Sequence, residues 1–341
     1  MIFVTGGTGM LGSYLLLELL KSGKDVVASK RKESSTKITK LVFDTFSDTD
    51  TPNELFSKIK WVDIDLFSQA NIEEELSNIS EVYHCAAYIS NSLSNKNKLI
   101  ENNQTITQNI VNASINCNID KFCHVSSISA LGNSSNGELI SEKTFWKEQK
   151  NNSTYSTSKY LSEVEVWRGI AEGLNAVIIN PSVILGVGDW EKGSANLFAK
   201  VKNGLKYYTK GSSGFVNAKD VAKIMIQLMD SKEDNFKQGY IVSAENLDFK
   251  QLFDKIAKSF NIPSPNIYAT NFLTQLAWRL EWIRSKALKT EALITKESAR
   301  TAHKQLAYNN KKLIESIDYK YETIDDTISE IVKVYNKTNI L

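Results

Sequence analysis

The chain begins with a short apolar run, Ile2-Phe3-Val4-Thr5, that passes directly into Gly6-Gly7-Thr8-Gly9-Met10-Leu11-Gly12 and then into a Leu-rich stretch. A strand, a glycine turn and a helix in that order leave few folds open. Gly6 lets the chain turn sharply off the strand. Gly9 removes a Cβ from the place where backbone amides would meet an anion, and Gly12 lets the helix lie close on a sheet. Leu11, Leu15, Leu16, Leu19 and Leu20 recur at helical spacing before Ser22-Gly23 ends the run. In this context the glycines predict a dinucleotide site, with Thr8, Met10 and Leu11 beside the pyrophosphate at a helix N-terminus.

The rest of the chain continues the alternation. Strand patterns occur at 25–29, 61–66, 81–87, 121–125 and 175–180. Helical patterns occur at 72–79, 102–116 and 153–173, with a short helix expected around Thr51 and Pro52. This predicts an α/β fold: a Rossmann-type doubly wound parallel sheet with a smaller, mainly helical C-terminal region, ligands lying at the carboxyl ends of the strands. The expected division is a nucleotide domain at 1–180, to which 215–242 returns, and a substrate-binding region at 181–214 and 243–341. Gly186, Gly188, Gly193, Gly204, Gly211 and Gly214 suggest lid-like loops. The amphipathic stretch 272–283 contains Arg279 and Glu281, so it is expected to face a partner or the core rather than to anchor in a membrane.

The end of the second strand distinguishes the two nicotinamide cofactors. An acid there would accept from the ribose hydroxyls of NAD, whereas a cation suits the 2′-phosphate of NADP. The chain places Lys30-Arg31-Lys32 at this point and no acid, so NADP is expected over NAD. Asp65 and Leu66, at the exit of the third strand, are expected to border the adenine. Ala86 and Ala87, small residues after the fourth, suit a backbone passing close to the cofactor.

Chemistry is expected where Ser127 follows the fifth strand and Tyr155 and Lys159 open the long helix, with Asn103 at the start of the preceding one. Four residues separate Tyr155 from Lys159, which puts them one turn apart on one face. A tyrosine normally titrates near 10. An ammonium and a cationic nicotinamide beside it would favour phenolate and so bring it toward acid–base work. A serine hydroxyl would orient a substrate oxygen. Pro181 and Val183 are expected against the nicotinamide, and Trp190, Tyr207 and Tyr208 are candidates for pocket walls or for core.

A net charge of +2 over 341 residues excludes a nucleic-acid footprint. Cys85, Cys117 and Cys123 form no paired motif, and His84, His124 and His303 are scattered, so neither a disulfide framework nor a metal site is expected. The absence of a leader and of a long uncharged apolar run leads to the expectation of a cytoplasmic protein, monomeric or homodimeric, acting on a small molecule.

These segments together, TGGTGMLG, VSSIS, YSTSK, INPSVILGVGD and FVNAKDVA, resemble the extended and atypical short-chain dehydrogenase/reductase superfamily over most of the chain. The resemblance implies that Ser127, Tyr155 and Lys159 are catalytic, with Lys159 also bonding the nicotinamide ribose and Asn103 supporting it through a water. It favours the second serine of the Ser126-Ser127 pair. Nucleotide-sugar dehydratases of this superfamily carry Thr-Asp-Glu where this chain has Ser127-Ile128-Ser129. Nucleotide-sugar enzymes also usually have an arginine before the FVNAKDVA segment, where this chain has Gly211-Ser212-Ser213-Gly214. A diphosphate favours an arginine fork. What remains, with Ser298-Ala299-Arg300 and the run from Tyr308-Asn309 to Lys312, is similar to the dihydroflavonol-reductase and 3β-hydroxysteroid-dehydrogenase group, which acts on uncharged carbonyls or secondary alcohols. Asn180 stands where relatives often have arginine, and Val187 where they often have proline. The alternatives are a nucleotide-sugar epimerase or dehydratase with tightly held NAD, and a non-catalytic NADP-binding regulator.

Overall fold

The computed structural model describes residues 1–47, 52–88, 96–132, 138–149, 152–231, 233–288, 290 and 295–338; Thr51 lies outside these. Strands β1 (Ile2–Thr5), β2 (Val26–Lys30), β3 (Lys60–Asp63), β4 (Glu81–His84), β5 (Lys121–Val125) and β6 (Ala176–Pro181) alternate with helices α1 (Met10–Lys21), α2 (Lys37–Phe46), α3 (Pro52–Ser57), α4 (Gln69–Leu76), α5 (Lys96–Asn116) and α6 (Thr154–Ala171). Beyond them come β7 (Val183–Leu185), α7 (Ala195–Lys202), β8 (Tyr207–Tyr208), β9 (Ser212–Asn217), α8 (Ala218–Met229), β10 (Gln238–Val242), β11 (Glu245–Asp248), α9 (Phe249–Ser259) and β12 (Ile267–Tyr268). Helices α10 (Asn271–Leu288), α11 (Lys296–Thr301), α12 (Lys311–Ile317) and α13 (Ile324–Thr338) close the chain.

Seven strands form one parallel sheet in the order β10-β6-β5-β4-β1-β2-β3. Covered on both faces, its strands are apolar at successive positions. Val4, Val177 and Ile179 face one core with Leu16 of α1 and Met225 of α8, whereas Phe3, Val82, Phe122 and Ile178 face the other with Ile110 of α5 and Val166 of α6. The order reverses between β1 and β4, so the crevice at their carboxyl ends receives both Gly6 and Ala86.

Several boundaries differ from the sequence expectation. Strands β3 and β4 stop at Asp63 and His84, because the chain beyond them turns into the loops of the crevice. Helix α5 starts at Lys96, with Leu99 buried in line with Ile106 and Ile110, so Asn103 lies within the helix rather than at its start. The strand before α8 is not part of the main sheet: β9 lies between β7 and β11 in a small sheet of its own, and the seventh main-sheet strand is β10.

Candidate active site

The glycine turn has the geometry its residues require. Gly6 is left-handed at φ +72°, and a Cβ there would come 2.8 Å from the Ala86 nitrogen, so β1 and β4 deliver their ends against each other. Gly12 lies still closer to its surroundings, since a Cβ would fall 2.2 Å from the Gly6 carbonyl oxygen. Gly9 is the N-cap of α1 and no side chain caps that end. The amides of the first helical turn therefore face the crevice, next to a residue that is exposed and lacks a Cβ. These residues fit a dinucleotide pyrophosphate.

The loop after β7 closes over α1. Gly186 and Gly188 pass the Met10 side chain, and the Val187 amide donates to the Tyr14 hydroxyl at 2.9 Å. A proline at this position could not make that bond.

At the end of β2, Lys30 is paired with Asp63 on the neighbouring strand, and the exposed Arg31 guanidinium lies 5.3 Å from the Tyr88 ring centroid. Asp65 accepts from the Phe67 amide at 3.0 Å, and the Leu66 carbonyl accepts from Asn109 at 3.1 Å, which shapes the turn out of β3. Pro181 is buried at the end of β6, and Val183 begins β7 two residues later.

Three elements converge on the candidate catalytic residues. Strand β5 ends at Val125 and Ser127 is extended, its hydroxyl accepting from the Ser129 amide at 3.1 Å and so opening a single 3-10 turn, Ile128–Ala130. Ser153 caps α6 by accepting from the Ser156 amide at 3.0 Å, and Ser156 donates to the Ser129 carbonyl at 2.5 Å. With turn and helix joined in this way, the Ser127 side chain is brought to the Tyr155 phenol, on which it acts to lower the phenol's value. Ser126 turns the other way, donating to Glu163 at 2.5 Å, so Ser127 is the member of the pair that faces Tyr155.

One turn into α6, Lys159 is buried and its Nζ donates to the Val125 carbonyl at 2.9 Å. Burial brings this amine down to about 8, against the opposing influence of Cys85 and Glu163. Burial also raises Tyr155 above the ordinary phenol value, with the Ser127 side chain opposing. The protein by itself holds Tyr155 as the protonated phenol, the form that can give a proton. Desolvation of the charged form is the larger influence on this phenol.

Asn103 lies within α5 and joins two elements of the site. Its Oδ1 accepts from the Tyr88 amide at 2.6 Å, while Nδ2 donates to the Tyr88 carbonyl at 3.0 Å and to the Ser158 hydroxyl at 2.7 Å. It binds the loop after β4 to α6 at Ser158, the residue before Lys159.

Beneath the site, His84 and His124 stack with centroids 5.3 Å apart. Thr5 Oγ1, already accepting from the Ala86 amide, lies 2.8 Å from His84 Nδ1, and Thr107 Oγ1, donating to the Asn103 carbonyl, lies 3.3 Å from Nε2. The proton assignment that satisfies every partner places the ring proton on Nε2. Burial, reinforced by Lys159, takes His84 down to about 3 and His124 well below its ordinary value, so both rings are neutral.

A cavity of about 190 Å³ opens beside Ser129 and Ser156. Its walls include Leu131, Trp146, Tyr308, Arg300 and Lys304. Trp146, stacked on Tyr160 at 4.6 Å, gave no signal in the sequence, since it falls in an irregular polar segment between the two catalytic motifs with no apolar periodicity of its own. Of the aromatics that were candidates for walls or for core, Trp190 packs edge-on against Tyr335 at the core, Tyr208 sits on Tyr268, and Tyr207 is exposed.

With this geometry in place, the comparisons are consistent. The profile of the NAD dependent epimerase/dehydratase family matches residues 2–242. The chain belongs to that family, an extended branch of the short-chain dehydrogenase/reductase superfamily, and it is an NAD(P)-dependent oxidoreductase. It is 22% identical over 338 residues to a putative dihydroflavonol 4-reductase of Synechocystis, covering 97% of this chain and 93% of that one. It is 25% identical to a decarboxylating sterol-4-alpha-carboxylate 3-dehydrogenase of Dictyostelium discoideum, covering 91% and 93%. Among solved structures, the UDP-glucose 4-epimerase of Thermotoga maritima with UDP-glucose has a TM-score of 0.77 at 15% identity, covering 99% of each chain. That likeness is one of fold.

Proposed function

We propose that this enzyme is an NADP-dependent reductase of a small, uncharged carbonyl compound, also able to run in the direction of the secondary alcohol. The observation that carries this reading is the Ser127–Tyr155–Lys159 arrangement, with a buried, protonated phenol beside Ser127 and a nucleotide crevice at the uncapped end of α1. When bound, the nicotinamide supplies the hydride. Ser127 holds the substrate oxygen, and Tyr155 gives that oxygen its phenolic proton as the carbonyl carbon is reduced. The Lys159 ammonium offsets the phenolate that remains and meets the ribose. Gly6, Gly9 and Gly12 admit the pyrophosphate, Ala86 and Ala87 line the backbone side, and Pro181 and Val183 stand at the nicotinamide end. Arg31 supplies the charge for a 2′-phosphate, because Asp63 already offsets Lys30. Residues 181–214 and 243–341 form the substrate-binding region, and Trp146, from the segment before α6, joins Tyr308 as an aromatic wall. The test is Tyr155→Phe: NADPH binding is retained and carbonyl turnover is lost, and full turnover in this variant would refute the assignment.

One observation favours the second reading, a nucleotide-sugar epimerase: Arg300 and Lys304 line the cavity, where a diphosphate would meet them. Purified protein carrying NAD and interconverting a UDP-sugar without net cofactor consumption would decide for it.

A further inference from the structure

Helix α10 presents its apolar side outward. Phe272, Leu276, Leu280, Ile283 and Ala287 recur at three- and four-residue spacing within a roughly 100° arc. Phe272 is 77% exposed, Leu280 58% and Ile283 57%, and Ser285 is the buried residue of this helix among those described. A helix on the surface of a soluble domain normally turns such a stripe inward, so an exposed one marks an interaction face.

The charges around the stripe indicate what covers it. Arg279 and Lys286 border one side and Arg284 the other. Arg279 lies over the Trp278 ring at 4.7 Å and Lys286 over Trp282 at 4.2 Å, so that indoles and cations share one margin. The single acid of the helix, Glu281, points away from the stripe and is held by Arg284 at 2.6 Å. If two copies paired stripe to stripe, Arg279 and Lys286 of each would be brought together with no acid on that face to meet them. Anionic headgroups provide the missing counter-charge, and an apolar stripe edged by cations and Trp is the pattern of a helix lying in a bilayer interface.

We propose that α10 docks on an anionic phospholipid surface, with Phe272, Leu276 and Ile283 at the acyl boundary and Arg279 and Lys286 among the headgroups. The helix lies on the bilayer and does not cross it; among the described residues no helix is long and apolar enough to do so. Docking brings the active site near the bilayer, because α10 packs on α11 and Thr274 meets His303 at 2.9 Å, while Glu297, Arg300 and Thr301 of α11 line the cavity. This inference does not depend on the substrate proposed above.

Flotation of the purified full chain with vesicles of phosphatidylcholine alone, and of phosphatidylcholine mixed with phosphatidylglycerol, tests it. The wild-type chain floats with the anionic vesicles, less so at high salt, and not with the neutral ones. The combined Phe272→Ser, Leu276→Ser and Ile283→Ser variant stays behind with an unchanged melting temperature. Arg279→Gln with Lys286→Gln, changes at exposed positions that leave the fold intact, weakens binding about thirtyfold, from about 1 kcal/mol per cation. Failure of the wild-type chain to float with anionic vesicles overturns the proposal, as does undiminished binding by the Gln variant. A wild-type dimer that becomes monomeric in the Ser variant would instead assign the stripe to a second copy.

Discussion

Asn180 donates a 2.7 Å hydrogen bond to the Glu163 carboxylate, and the same amide reaches the Ser127 carbonyl at 3.2 Å. Glu163 lies one turn beyond Lys159, which lies one turn beyond Tyr155, and it also accepts from Ser126 and Trp167. A single carboxylate thus ties the chain on both sides of Ser127 to the helix that carries Tyr155. Replacing it by alanine leaves two buried donors without an acceptor, at about 1–3 kcal/mol. Glu163→Ala is therefore expected to melt at lower temperature and to lose kcat while its KM for the cofactor changes little. Glu163→Gln, which keeps an acceptor oxygen, recovers part of the turnover. Steady-state kinetics beside thermal melts check this, and an unaltered kcat in the alanine variant would free Ser127 from this support.

Gly9 and Gly12 share one motif but are expected to fail differently. A Cβ on Gly9 meets only the Gly6 carbonyl, at 3.3 Å, whereas one on Gly12 would fall 2.2 Å from that oxygen and 2.9 Å from the Gly7 Cα. Gly9→Ala should keep a near wild-type melting temperature and lose cofactor binding by tenfold or more, about 1.4 kcal/mol. Gly12→Ala should lose stability first, since α1 must lift off the sheet. Melting curves with and without cofactor separate the two outcomes.

Arg31 and Lys30 adjoin in sequence but differ in their surroundings. Because Asp63 pairs with Lys30, Arg31→Gln is expected to weaken NADPH binding about tenfold or more with little effect on NADH, and Lys30→Gln to do less. Fluorescence titrations with both cofactors measure it. Equal losses for NADPH and NADH in Arg31→Gln would remove Arg31 from phosphate recognition.

Lys159 links stability to pH. Its folded value is about 8 against 10.5 when solvated, so between these pH values the unfolded chain binds more protons and stability rises with pH. Below 8 the full penalty of the buried ammonium applies, roughly 3 kcal/mol. Lys159→Met is expected to be the more stable protein at neutral pH, with an advantage that shrinks as pH rises from 8 toward 10.5. Denaturant midpoints of the two proteins across this range check the sign, and a constant difference would mean that Lys159 is not desolvated.

Much of the fold was legible in the residues because it depends on local pattern. Glycine spacing placed the crevice, apolar runs placed six of the seven strands of the parallel sheet, and a spacing of four put Tyr155 and Lys159 on one face. Strand β10 was harder to read, since its apolar run is only Tyr240-Ile241-Val242 after the opening Gln238-Gly239, and its partner β6 lies far away in sequence. The walls of the cavity were not legible for the same reason: Trp146, Arg300 and Tyr308 come together only when α11 and the segment after it fold back over the 3-10 turn.

The sequence by itself determined the parallel sheet, the nucleotide crevice and the tyrosine–lysine pair, because turn geometry and helical period act over a few residues. Only the tertiary structure decided that Ser126 turns to Glu163, that Asn103 ties the loop after β4 to α6, and that burial raises the Tyr155 phenol above its ordinary value. The same holds for the apolar side of α10, which faces outward. Orientation, partner choice and desolvation depend on which distant segments pack together, and no local pattern encodes that.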